Sequence, residues 1–267
     1  MKKRISKLLA AVLALSLLFT LAACDGFRVP GDEDDLSTTE PVIIAKTVRP
    51  ETNKDIIEYY NTVINAVKEG KPAVNPKISK NVGGVETENK KLKALVPTLK
   101  KYMLHTDAEK ADKGQDLTDI FPVKGQDWSS KLTVADVRYA SITESDKTYE
   151  IMIRFKDEAD PEALVSSLGK AFDLADKKAI MEEFEKANDY LKVGETGYLY
   201  NGCYIKTVVD KENDQVLNVT YFINVRVETL LTGAGSLADM GSVPFAFDYE
   251  NKAQYDLDWS EPEQETQ

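Results

Sequence analysis

Histidine is nearly missing from this chain: His105 is the only one in 267 residues, beside two cysteines and two tryptophans. A lone histidine all but excludes a His-dependent triad or a His-rich metal site. His105 follows a helical stretch, with Asp107 and Glu109 nearby, and reads as a surface side chain rather than a ligand. Two cysteines, Cys24 and Cys203, rule out a disulfide framework, so stability must come from the core. Neither G-x-S-x-G nor H-E-x-x-H occurs. Positive charge is also scarce, with 34 Lys and Arg against 45 Asp and Glu. Such a surface argues against nucleic acid, where cations must neutralise phosphates.

What is present is most distinctive at the start. Lys2, Lys3, Arg4 and Lys7 precede an apolar run from Leu8 to Ala23, and small residues then precede Cys24. That order is the layout of a secretory signal. The run is 16 residues long, short of the roughly 20 a spanning helix needs. Acidic residues follow, Asp25 and then Asp32 to Asp35, where a stop-transfer segment would carry Lys or Arg.

Leu21-Ala22-Ala23-Cys24 resembles the bacterial lipobox, an aliphatic and two small residues before a modified cysteine. The resemblance covers residues 1–24. It implies that the Cys24 thiol takes a diacylglycerol thioether and that the signal is cut before it. Two acyl chains hold a protein stably at a bilayer, at about 0.8 kcal/mol per buried methylene. The expected protein is therefore a lipid-anchored lipoprotein on the extracytoplasmic side of the cell membrane. Two alternatives stay open, an ordinary secreted protein cut at Ala23 and an uncleaved anchor.

Setting aside residues 1–23 removes four of the 34 basic residues and no acidic one. The 30 that remain face 45 acids, a net charge of −15. A polybasic grip on anionic lipid is thus excluded, and the lipid alone must anchor the chain. Cys203 would be the one free thiol; it lies in a strand-like stretch and reads as buried and inert.

Residues 24–52 read as a lipidated acidic tether, whose Pro30, Pro41, Pro50 and acidic cluster cannot bury enough surface to fold. The run Asp32 to Asp35 reads as solvated linker rather than a calcium site. As a flexible coil the tether reaches on the order of 30 Å.

The globular domain is expected over 53–255, with a sub-boundary near 157, and a disordered acidic tail over 256–267. Ile56, Ile57, Tyr60, Val63, Ile64 and Val67 make one apolar stripe, with Thr52 and Asp55 as a cap pair and Gly70 and Pro72 as the stop. Residues 71–87 read as loop or weak strand. A second helix from about Glu88 to Leu104 must be kinked or split by Pro97. Residues 105–131 read as polar loop.

Val134 to Phe155 predicts a hairpin turning at Glu144 to Lys147, with Tyr149, Ile151, Ile153 and Phe155 on one face. Asp160-Pro161 predicts a helix start, carried on by Leu164, Val165, Leu168 and Phe172 and again by Ile180, Met181 and Phe184. Gly202 to Asp210 and Gln215 to Leu230 predict a long hairpin. Its second arm puts Leu217, Val219, Tyr221, Ile223, Val225 and Val227 on one face. Val243, Phe245, Phe247 and Tyr249 predict a last strand. The fold class is α+β: an antiparallel sheet of hairpins with helices packed on one face, after a disordered tether.

The remaining motifs are weak. Ser167-Leu168-Gly169-Lys170 matches S-x-x-K, but the S-D-N and K-T-G partners of that chemistry are missing. Thr232 to Ser236 lacks the terminal Gly-Lys of a phosphate loop. Asp210, Glu212 and Asp214 alternate like a calcium loop without its Gly and distal Glu, and read as a turn. No catalytic, metal or cofactor-binding residue is nominated. The expected role is a non-enzymatic binding module for a protein, peptide or cell-wall ligand. A carboxylate-dependent envelope hydrolase and a solute-binding transporter component are the alternatives.

Overall fold

The computed structural model describes residues 49–103, 108–175, 177 and 189–261. It is mostly an eight-stranded antiparallel sheet, with two α-helices among the described residues. The order along the chain is α1 (Asn53–Gly70), β1 (Ala73–Glu86), α2 (Lys90–Met103), β2 (Val137–Glu144), β3 (Thr148–Phe155) and β4 (Glu158–Ala159). Then come β5 (Leu191–Tyr200), β6 (Tyr204–Asp210), β7 (Val216–Gly233) and β8 (Ser242–Asp258). The sheet order is β1-β8-β7-β6-β3-β2, and β5 pairs with the far half of β7 and with β4. β3 pairs directly with β6, so the strands on either side of residue 157 share one sheet.

β7 organises the sheet. Its first half pairs with β6, its second half with β5, and its other edge with β8 throughout. Period-2 alternation explains its faces: Val219, Tyr221, Ile223, Val225 and Val227 are buried. Leu217 was expected among them but is exposed. The β6–β7 register slips between Val208 and Val209, so Val209 faces Val216 and Leu217 becomes the extra residue of a bulge.

α1 begins at the Thr52–Asp55 capping box. It ends on Lys71 in the left-handed conformation, a position glycine usually takes. Gly70 serves instead to admit Trp259, because a Cβ there would lie 2.5 Å from the indole. Trp259 Nε1 donates to the Val216 carbonyl, locking the end of β8 to the start of β7.

The structure sharpens or corrects several expectations. Residues 73–86, expected as loop or weak strand, form a full strand: β1 lies at the edge of the sheet, where Pro76 is tolerated. β5 has no counterpart in the periodic reading, since Gly194 and Gly197 and a bulge between Val193 and Thr196 break its alternation. Residues 161–172 form turns, not a helix. Leu164 takes φ +65°, its N–H donates to the Gly169 carbonyl, and Leu164 and Val165 are 42% and 61% exposed. Gly169 passes so close to Glu162 that a Cβ would meet its carbonyl at 2.2 Å. The helical stretch expected at 180–184 lies outside the described residues. β8 runs through Asp258, so Asp256, expected in a frayed tail, pairs with Asn75 and Asn218.

Candidate functional site

Asp173 lines a small cavity of about 180 Å³ against the inner face of the sheet. Phe172 stands beside it in the chain, Tyr221 comes from β7, Asn251 and Tyr255 from β8, and Lys80 from β1. Pairing explains the assembly. Tyr221 faces Ala253, and Ala253 faces Ile78, so residues distant in sequence meet in one cross-strand neighbourhood. Phe172 packs edge-on to Tyr221 at 5.7 Å, and Tyr221 edge-on to Tyr255 at 6.0 Å.

Tyr221 is 4% exposed, and its hydroxyl lies against the buried Tyr60 hydroxyl, each the other's polar neighbour. The Asn251 Oδ1 has no hydrogen-bond partner. Burial drives the Asp173 carboxyl above the usual carboxylate range. The Lys124 N–H at 2.7 Å and the charges of Lys124 and Lys68 oppose that shift. Burial likewise raises the Tyr221 phenol.

The wall behind Asp173 is held by one face of α1. Asn61, Asn65 and Lys68 follow one another at helical spacing. Asn61 Nδ2 donates to Leu132 O, and Asn65 Oδ1 accepts from the N–H groups of Ser129 and Ser130. Lys68, 6% exposed, donates to the carbonyls of Val123, Gln126 and Trp128 at 2.8, 2.8 and 3.2 Å. Burial pulls its pKa down to about 8, against the pull of Asp173 and other carboxylates. The polar stretch 123–132 is therefore a pinned element rather than a free loop. Its sequence signal was the polar stripe 61-65-68 beside an apolar stripe on the same helix.

A larger groove of about 810 Å³ lies where β1 leaves the sheet, over Val85, Thr229, Val243 and Phe245. Lys93 and Arg226 are the cations along it, and Arg226 is already engaged. Arg226 donates to the Gly84 carbonyl at 2.9 Å and pairs with Glu86 at 2.6 Å, Asp248 at 3.4 Å and Glu228 at 3.6 Å. Burial works against its charge, but Asp248 and Glu86 outweigh that and raise its pKa. Gly84, at φ +52°, lets the β1 bulge approach Asp248, where a Cβ would fall 1.8 Å from a carboxylate oxygen. These carboxylates converge on Arg226, which braces the β1 bulge against β7 and β8.

The outer face of the sheet carries a different array. One cross-strand row reads Tyr139, Arg154, Tyr204, Phe222, Lys252 and Ser79 over six strands. Tyr204 stacks on Phe222 with centroids 5.0 Å apart, and Arg154 sits over Tyr204 at 5.9 Å. Tyr139 is 44% exposed, and Tyr204 and Phe222 are half-buried. In the next row Lys206 pairs with Glu150 at 2.8 Å and Lys77 with Asp256 at 2.6 Å. Arg154 and Lys252 have no carboxylate partner among the described residues.

Ser167 and Lys170 both bond Asp136 Oδ1, at 3.2 and 2.8 Å. Burial alone would raise the Asp136 carboxyl, but hydrogen bonds from Lys170 and Thr133 hold it below its usual value. The S-x-x-K lysine is thus paired with a carboxylate. Cys203 is buried, and burial pushes its thiol up to about 11. Asp210 and Asp214 close the β6–β7 turn, Asp210 accepting from the Glu212 N–H and Asp214 from the Tyr59 hydroxyl at 2.7 Å. Among the described residues no three acidic, cysteine or histidine side chains cluster as metal ligands, and no helix is long and apolar enough to cross a membrane. Leu21, Ala22, Ala23, Cys24, Asp32 to Asp35 and His105 lie outside the described residues. No family model matches the chain, and no curated protein or solved structure matches it either.

Proposed function

We propose that this protein is a lipid-anchored, extracytoplasmic binding module that docks an acidic protein partner on the outer face of its sheet. The anchor rests on the lipobox-like Leu21-Ala22-Ala23-Cys24 behind a charged and apolar leader. The docking reading rests on the cross-strand row centred on Tyr204 and Phe222. Tyr, Phe, Met and Arg are the residues enriched in interface cores, and Tyr139, Met152, Arg154, Tyr204 and Phe222 supply them on one surface. Charge selects the partner. Arg154 and Lys252, about 14 Å apart across three strand spacings, are cations without a carboxylate partner among the described residues. Helices confined to the inner face belong to the same reading. Support comes from α1, whose Tyr59 packs edge-on to the inner-face Tyr149.

Two measurements test this. Cys24→Ala is expected to move the protein from the membrane to the soluble fraction; a variant that stays membrane-bound sinks the anchor. For the face, a photo-crosslinking residue at Met152 of the full-length protein in cells is expected to give one discrete adduct. Arg154→Glu with Lys252→Glu should abolish that adduct, while charge reversal at the exposed Lys54 should not. An adduct indifferent to the first pair overturns the docking reading.

A further inference from the structure

We propose that the acidic partner of the outer face is a second copy of this chain, the two sheets stacking face to face about a two-fold axis that runs across the strands. The inference rests on the docking reading above and names its partner.

Strand register supplies the argument. Three rows succeed one another on the outer face, each two residues further along every strand. The first is the row centred on Tyr204 and Phe222, with Arg154 on β3 and Lys252 on β8. The second has Met152 on β3, Lys206 on β6, Gln254 on β8 and Lys77 on β1. The third has Glu150 on β3 and Asp256 on β8. Each unpaired cation of the first row thus has a carboxylate in the third row of its own strand. A two-fold axis laid over the second row reverses every strand and brings the first row of one copy onto the third row of the other. Arg154 then faces Glu150 of the second copy, Lys252 faces its Asp256, and symmetry makes each contact twice.

Exposure permits these contacts. Arg154 and Lys252 are exposed, and the Glu150 and Asp256 side chains stay 45% and 36% exposed while paired with Lys206 and Lys77. A carboxylate offers about four lone-pair sites, so each can take a second cation. Asp256 already accepts from Lys77, Asn218 and Gln254, so Arg154 to Glu150 is the stronger of the two contacts. The second row meets itself. Met152 falls on Met152 of the second copy, and Lys206 and Lys77 each arrive beside the carboxylate that offsets their charge. Both copies are acidic, but charges remote from the contact are screened beyond about 8 Å at physiological salt, and the facing pairs lie inside that length. Six strands at about 4.8 Å and three rows at about 6.8 Å cover about 29 by 20 Å. That is about 600 Å² per copy and about 1,200 Å² in all, the lower end of specific interfaces. The dimer is therefore a weak one.

The test places two full-length copies with different epitope tags in the same cells, both carrying the photo-crosslinking residue at Met152. The axis passes over Met152, so the expected adduct has the mass of two chains and carries both tags. Arg154→Glu with Lys252→Glu makes an all-acidic face, and Glu150→Arg with Asp256→Lys an all-basic one. Either variant expressed alone under both tags should lose at least tenfold of the two-tag adduct, because like charges then face each other. Co-expressing the acidic-face variant under one tag with the basic-face variant under the other should restore it to within about twofold of wild type, which a folding defect could not do. A discrete adduct with a different protein that needs Arg154 and Lys252 overturns the second-copy proposal and leaves the docking reading standing. Absence of any adduct overturns both. A two-tag adduct that survives either pair of charge reversals, or that fails to return on co-expression, overturns the proposal.

Discussion

Tyr221 and Phe222 are neighbours on β7 and face opposite ways. Tyr221 enters the inner face, packs between Phe172 and Tyr255, and sets its hydroxyl against that of Tyr60. Phe222 enters the outer face, stacks on Tyr204 and stays partly open to water. One strand thus has a packed aromatic face on one side and a partly solvated face on the other. The inner face is energetically tight, because the rings of Phe172, Tyr221 and Tyr255 are buried there and any lost contact leaves a void. The outer face is energetically loose, so it can be specialised for a partner at little cost to folding.

The comparison is most sharply tested by truncating the two neighbours. Tyr221→Ala should cost about 4 kcal/mol of unfolding free energy, read from urea denaturation. Phe222→Ala should cost about 1 kcal/mol, the scale of a cross-strand pair. Equal losses would erase the distinction between the faces.

Next in size is Lys68→Met, expected to cost about 3 kcal/mol because three buried carbonyls lose their donor. Its pH dependence has a defined sign. The folded pKa is about 8 against an ordinary 10.5, so between these values the unfolded chain binds more protons. The Lys68 contribution to stability then rises with pH. The gap between wild type and the methionine variant should widen from pH 8 to pH 10 in matched denaturation curves.

A smaller effect of opposite direction is expected at Asp173. Its folded pKa is raised from 3.8, so ionising the buried carboxyl costs stability as pH climbs through the shifted value. Lys68, Lys80, Lys124, Tyr221 and Tyr255 are titratable groups around it. Asp173→Asn should leave the thermal midpoint at pH 7 unchanged or higher, and the advantage should vanish near pH 3, where both states are protonated. A clear loss of stability at pH 7 would make Asp173 a structural residue. Smallest of all, Arg154→Glu with Lys252→Glu should shift stability by under about 0.5 kcal/mol, checked by thermal melting. A large loss would mean that the outer face is structural.

Legibility in the sequence followed regularity. β3, β6, β7 and β8 announced themselves because each keeps period-2 alternation over most of its length, and α1 because its stripe and cap agree. β1 was hidden by Pro76 and by Gly83 and Gly84, which an edge strand with a bulge can carry. β5 was hidden by its glycines. The stretch 161–172 misled because Leu164, Leu168 and Phe172 sit at helical spacing, yet Leu164 takes a left-handed turn and only the latter two are buried. Asp173, Tyr221, Asn251 and Lys80 carry no shared motif, and no local spacing could have grouped them.

By itself the sequence determined the acidic balance, the lipobox-like leader, the alternation that makes an antiparallel sheet, and the single histidine. These depend on composition and short-range periodicity, which are properties of neighbouring residues. Which carboxylate is desolvated, which hydroxyls meet and which lysine is spent on carbonyls were decided only by the tertiary structure. Those outcomes depend on what strand pairing brings together across nearly two hundred residues of chain, and on the water that packing removes.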